Sequence, residues 1–190
     1  MGTGDSILTM AKKDMLNIKK AMTVTKASNI GTKLSMTGCG LPQSAAAISR
    51  KWPAALTSTG EVLWRTRLPY ESQHGGGGSP ELHGELLIIN CDGNDVEAFV
   101  VALDKQTGKE RWKRQRRKPA DQAYTTPLTI RVGDRDQIVS VGAYRAGGYD
   151  PASGREIWRV SYDEGFSNVP RPVYGHGLVF IATGFQQPTL

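Results

Sequence analysis

The sequence predicts an all-β protein built from a repeated four-stranded unit, and three observations predict it. Trp64, Trp112 and Trp158 stand 48 and 46 residues apart, each with a glycine four residues earlier, at Gly60, Gly108 and Gly154. Ser79-Pro80, Thr126-Pro127 and Arg171-Pro172 repeat in a second register, 47 and 45 residues apart. From residue 53 onward short apolar runs alternate with Gly, Asn and Asp turn residues, and no helical period lasts beyond two turns. Two markers that drift together mark a true repeat, and four strands in about 46 residues make a β-propeller blade. One small twisted sheet cannot bury both faces alone, whereas a stack of such sheets does.

The elements follow in order. Residues 1–50 carry seven Lys/Arg and two Asp/Glu, so they hold +5 of the net charge of +6. Met10–Met22 suits at most a short basic helix, and Lys26 and Lys33 interrupt every window that could form the apolar core of a secretion signal. Met36-Thr-Gly-Cys39 is similar to the end of a lipoprotein signal but lacks that core, so Cys39 is read as an ordinary loop thiol. Residues 1–52 are therefore expected to be a basic, poorly structured leader, and 53–190 the repeat domain. The second unit predicts strands over Ser79–His83, Glu85–Cys91, Ala98–Asp104 and Lys109–Arg114. The third predicts them over Thr125–Val132, Gln137–Val141, Tyr144–Tyr149 and Arg155–Ser161. A fourth unit begins at Val169 with two strands. No apolar run approaches the ~18 residues of a membrane-spanning helix, and Cys39 and Cys91 form neither a disulfide framework nor a zinc motif.

The clearest phrase is "ALDKQTGKERW", Ala102 to Trp112, repeated as "GYDPASGREIW", Gly148 to Trp158. Asp104 and Asp150 are expected to accept turn N–H groups, and Gly108 and Gly154 to take the positive φ that closes a hairpin. Ala102 and Gly148 are small at one position, leaving room for a flat aromatic from the neighbouring sheet. Trp112 and Trp158 are expected to be wedges whose indole N–H finds a backbone acceptor next door. The first copy is degraded: Ala54, Gly60 and Trp64 keep the spacing, but Leu56 stands where the Asp belongs.

This pattern, Ala-x-Asp-x-x-x-Gly-x-x-x-Trp, resembles the tryptophan-docking motif of propeller repeats of the pyrroloquinoline-quinone (PQQ) type, over about residues 53–185. That family includes quinoprotein alcohol dehydrogenases and a non-enzymatic bacterial lipoprotein that helps assemble outer-membrane proteins. WD repeats would place Asp after the Trp, where this chain has Arg or Lys, and the Gly-Gly pair of kelch repeats is echoed only once, at Gly147-Gly148. In the enzymes the resemblance implies PQQ with calcium, an acidic base and a disulfide of adjacent cysteines. None of these maps onto residues here, so no catalytic, cofactor-binding or metal-binding residue is assigned. The resemblance also implies a periplasmic or extracytoplasmic setting.

Other features carry weaker functional readings. "HGGGGSP", His74 to Pro80, lacks the Lys-Ser/Thr of a phosphate loop and reads as a flexible crossing between blades. His74, Tyr124 and Asn168 lie in equivalent inter-blade loops and are the candidate ligand-facing residues. Asp92, Asp95 and Glu97 fit no calcium loop and read as a solvated turn. "KERWKRQRRK", Lys109 to Lys118, reads as a protected outer strand rather than a nucleic-acid surface, since no aromatic interleaving accompanies it.

The chain holds about three blades, an arc too short to close, and is expected to be a fragment or to self-associate through open blade edges. The sequence thus favours a non-catalytic, protein-binding scaffold without a cofactor. Its alternative is part of a PQQ-dependent alcohol or sugar dehydrogenase.

Overall fold

A computed structural model describes residues 33–34, 44–49, 52–72, 74, 76–93, 98–116, 121–163 and 165–184. Fourteen strands appear among them and no helix. The first sheet holds β1 (Lys33–Leu34), β2 (Ser44–Ser49), β3 (Trp52–Thr57) and β4 (Val62–Arg65). The second holds β5 (Glu81–His83), β6 (Leu86–Cys91), β7 (Phe99–Asp104) and β8 (Glu110–Gln115). The third holds β9 (Leu128–Val132), β10 (Arg135–Gly142), β11 (Arg145–Tyr149) and β12 (Glu156–Ser161). A two-stranded sheet of β13 (Val173–Gly175) and β14 (Leu178–Phe180) follows. Every sheet is an antiparallel meander with its strands in chain order. This is the all-β, partial propeller that the repeat predicted.

β2 pairs along its whole length with β3, from Ser44↔Thr57 to Ser49↔Trp52. The first sheet therefore reaches into residues read as leader. The other residues of 1–51, Cys39 included, lie outside those described.

The second sheet shows why the strands form where they do. β6 and β7 are almost continuously apolar, and both of their faces are covered. Leu87, Ile89, Cys91, Phe99, Val101 and Leu103 pack with Leu68 and Tyr70, which follow the first sheet. Their alternates Ile88, Val100 and Ala102 pack with Ile138 and Tyr149 of the third sheet. The two-residue period of a strand sends successive side chains to opposite sides, so a central sheet needs apolar residues at every position. Each large aliphatic or aromatic side chain buried this way contributes about 1.5–3 kcal/mol. Beyond the third sheet, Val141 and Ala146 meet Ile181, with Trp158, Tyr162 and Val179 packed against them.

Exposure returns at the flanks. Val62 and Leu63 of the first sheet are solvent-facing, as are Ile157, Val160, Phe166, Val173, Leu178 and Phe180 around the last strands.

Candidate functional site

The repeated phrase is the part of the chain whose chemistry can be read most directly. Asp104 Oδ1 accepts from the backbone N–H of Gln106 at 3.0 Å and of Thr107 at 2.9 Å, and from the Thr107 hydroxyl at 3.0 Å. Asp150 Oδ1 accepts from Ser153 N–H at 2.8 Å and its hydroxyl at 2.7 Å. These hydrogen bonds, led by those from the Thr107 and Ser153 side chains, hold both carboxyls below the ordinary value of 3.8. Gly108 and Gly154 close the turns at φ +68° and +66°. A depressed pKa stabilises above the unfolded value and loses that effect as pH falls through the folded one. The melting-temperature margin of the parent over Asp104→Asn is therefore expected to be full at neutral pH, to shrink as pH falls below the ordinary carboxyl value, and to be lost as pH passes the folded one. A margin that does not shrink on acidification contradicts this origin.

Each turn meets the tryptophan of the preceding sheet. Trp64 Nε1 donates to Lys105 O at 2.9 Å and Trp112 Nε1 to Pro151 O at 2.7 Å, in both cases the residue just after the turn's Asp. A Cβ on Gly108 would collide with the Trp64 ring, and one on Gly154 would sit 2.5 Å from that of Trp112. Two residues past each Trp, a side chain reaches the same glycine's carbonyl: Thr66 Oγ1 to Gly108 O at 2.7 Å, and Arg114 Nε to Gly154 O at 2.8 Å.

Four expectations about the phrase need correction. The small residue makes room for the tryptophan of its own hairpin, not the neighbour's, because Ala102 pairs with Trp112 and Gly148 with Trp158 across a bulge. In the first sheet the residue opposite Trp64 is Ala55, not Ala54. The Asp position there belongs to Thr57, not Leu56: its N–H donates to Glu61 O and its hydroxyl accepts from Glu61 N–H, in a hairpin one residue shorter. Trp158, finally, donates to Gln137 Oε1 of its own sheet at 2.8 Å, not to a neighbouring backbone. Among the described residues no further hairpin turn follows β14 to receive it.

A buried polar network joins the second and third sheets, and the sequence reading missed it. Asp92, expected in a solvated turn, is 3% exposed and ion-paired to Arg116, itself 4% exposed. Asp95 and Glu97 lie outside the described residues. Arg116 also donates to Ser140 Oγ and, at 3.2 Å, to Asn90 Oδ1. Asn90 donates in turn to Thr125 O at 3.1 Å, and the Thr125 hydroxyl to Val141 O at 2.5 Å. Burial raises the Asp92 carboxyl, against the pull of Arg116. Gly142 must lack a side chain, since a Cβ there would enter the Arg116 guanidinium. The only sequence signal was positional: Asp92 ends an apolar run that the structure places at the sheet interface.

The three candidate loops do come together. His74 and Tyr124 have ring centroids 6.2 Å apart, and Tyr124 N–H donates to Asn168 O at 2.7 Å. Asn168 nevertheless points inward: wholly buried, it donates to Gly142 O at 2.8 Å and Tyr162 Oη at 3.0 Å. Burial pushes the Tyr162 phenol up to about 12. The glycine loop lies tight against this segment, because a Cβ on Gly77 would be 2.8 Å from Tyr124 Cβ. Gly77 and Gly78 serve close approach, which the flexible-crossing reading did not foresee.

The basic run is likewise engaged within the fold. Arg111 pairs with Asp104 at 3.4 Å, Lys113 Nζ lies 3.9 Å from the Phe99 ring centroid, and Arg114 and Arg116 are held as described. Arg117 and Lys118 lie outside the described residues. Among the described residues no group of three or more His, Cys, Asp or Glu side chains converges. Cys91 is a buried free thiol, its pKa raised chiefly by that burial.

Successive four-stranded meanders, the first two each carrying a Trp against the next sheet's turn, define a β-propeller of PQQ-like repeats. A family model described as outer membrane protein assembly factor BamB matches residues 45–184, and the chain belongs to that family. Among solved structures it is similar to BamB from Moraxella catarrhalis, with a TM-score of 0.58 and 16% identity, over 75% of this chain and 44% of that one. It is also similar to a europium-containing methanol dehydrogenase, with a TM-score of 0.53 and 17% identity, over 79% of this chain and 28% of that one. At these identities the likeness concerns the fold, and the chain spans less than half the length of either structure. No curated protein sequence matches it.

Proposed function

We propose that this chain is a non-catalytic arc of a bacterial, extracytoplasmic β-propeller that serves as a scaffold for protein contacts. The observation that carries the reading is where its reactive groups are placed. Asp92, Asp104, Asp150, Arg114 and Arg116 are all engaged in turns or between sheets, and among the described residues no group of three or more His, Cys, Asp or Glu side chains converges. In this reading the Trp-to-turn contacts act as docking elements that hold the sheets in register. The exposed apolar residues around β12–β14 and the edge of β14 that pairs with no other described strand offer surface to a protein partner or a second copy. Among the described residues no helix is long and apolar enough to cross a membrane. The family match, described as an outer membrane assembly factor, supports this reading.

The similarity to a methanol dehydrogenase keeps one alternative in view, part of a PQQ-dependent alcohol or sugar dehydrogenase. Reconstitution with PQQ and calcium, followed by dye reduction with alcohols and sugars, separates the two. No turnover above a protein-free control is expected. Turnover that depends on both additions overturns the scaffold reading.

A further inference from the structure

A groove of about 510 Å³ opens between the second and third sheets, at the end of the stack that carries the β5–β6 and β11–β12 turns. Its apolar surface comes from Leu86, Pro151, Ala152 and Ile157. Three carboxylates also line it, and each is engaged elsewhere. Glu85 pairs with Lys105 at 2.8 Å, Asp136 with Arg131 at 2.8 Å and more loosely with His83 at 3.8 Å, and Asp150 caps its own turn through Ser153. Two arginines at the groove differ from these. Arg135 and Arg155 are solvent-facing, and neither guanidinium makes a hydrogen bond or an ion pair among the described residues. Arg155 lends Asp150 only a longer-range attraction. The groove therefore couples an apolar surface to two unpaired, planar, permanently charged donors, the side chains best suited to bidentate capture of carboxylates.

We propose that this groove binds a short acidic segment of a protein partner, with its carboxylates on Arg135 and Arg155 and its apolar side chains against Leu86, Ala152 and Ile157. The proposal rests on the scaffold reading and names the chemistry of the partner. The volume is that of a ligand of several residues, far larger than a single small anion needs. A nucleic acid is served less well, because His83 is the only aromatic ring among the lining residues on which a base could stack. A peptide that alternates carboxylate and apolar side chains meets both features of the groove.

The probe is a fluorescein-labelled hexapeptide of alternating Glu and Leu, titrated with the full chain and followed by anisotropy. Its Gln-for-Glu counterpart and a labelled ten-residue thymidine oligonucleotide are run beside it. Saturable binding of the Glu peptide is expected, weakening as salt rises. It should fall roughly tenfold or more in Arg135→Glu/Arg155→Glu, and also fall in Arg135→Gln/Arg155→Gln, while Arg67→Glu on the first sheet leaves it unchanged. Both substituted arginines are exposed, so circular dichroism should show parental folding.

The proposal is overturned by absent or non-saturating binding, by equal binding of the Gln peptide, or by equal loss in Arg67→Glu. Oligonucleotide binding that the double variants abolish assigns the groove to nucleic acid instead, and overturns it too. A silent peptide titration together with a silent PQQ assay removes this site and leaves the scaffold reading standing. PQQ-dependent turnover removes that reading whatever the peptide does.

Discussion

Replacing Trp112 with alanine is expected to cost about 3–5 kcal/mol, the usual penalty for emptying a large buried aromatic site. For a domain of this size that is a fall in melting temperature on the order of 10 °C. Trp112 is only 7% exposed, packs with Ile88, Val100, Ala102, Ile138 and Tyr149, and donates to Pro151 O. Its loss leaves a cavity between two sheets and an orphaned turn carbonyl. Because stacked repeats gain stability from nearest-neighbour interfaces, the variant should also unfold less cooperatively, with the second and third sheets partly uncoupled. The internal control is Trp158→Ala. That ring is half-buried and bonds within its own sheet, to Gln137, so its removal should cost clearly less. Urea unfolding of both variants is the measurement. Equal losses would show that the contact with the next sheet's turn is not the source of the stability.

The second large effect is expected at the Asp92–Arg116 pair. Arg116→Met leaves a carboxylate buried with no cation bonded to it, and should cost about 3–5 kcal/mol at neutral pH. With Arg116 gone, the folded pKa of Asp92 rises further. A raised carboxyl pKa stabilises below the unfolded value and loses that effect as pH rises through the folded one. The variant should therefore recover stability on acidification, a signature that a simple packing defect lacks. Asp92→Leu combined with Arg116→Met should regain most of the loss, since apolar residues of similar volume often replace a buried pair at little cost. A double variant as unstable as the sum of the two single ones would refute the coupling. Ser140 and Asn90, which also bind Arg116, set the limit of recovery because they lose a partner.

Much of the fold was legible because its local signals are strong. The strand boundaries of the second and third units lie within a few residues of those expected, since Gly, Asn and Asp punctuate each hairpin. β10 begins at Arg135, two residues early, because a polar pair continues an antiparallel ladder as well as an apolar one. β2 escaped notice because Ser44–Ser49 has no tryptophan to place it in register, and the turn residues before it, Gly38, Gly40 and Pro42, belong to a stretch with no sustained strand pattern. The first copy of the phrase was misaligned by one position for a related reason. A hairpin shortened by one residue keeps the Gly-to-Trp spacing but moves the capping residue from 56 to 57, and Thr57 caps with a hydroxyl where its counterparts use a carboxylate.

The candidate site was less legible. Asp92 and Arg116 are 24 residues apart, and each sits in a charged stretch that reads as solvent-facing. Burial depends on what the next sheet places opposite, and a single chain carries no local mark of that. The same holds for Asn168, whose loop is equivalent to those of His74 and Tyr124 but whose amide turns toward Gly142. It also holds for Arg135 and Arg155, which stand out only because the carboxylates around them are engaged elsewhere.

By itself the sequence determined the repeat, the four-stranded unit, the capped glycine turn and the tryptophan placed to meet it. These follow from turn chemistry and strand periodicity, which act over a few residues and are written there. Tertiary structure alone decided which turn each tryptophan meets, which charges are buried, and which arginines remain free at the groove. The first two of those outcomes depend on the juxtaposition of residues 24 to 41 positions apart, set by how one twisted sheet stacks on the next.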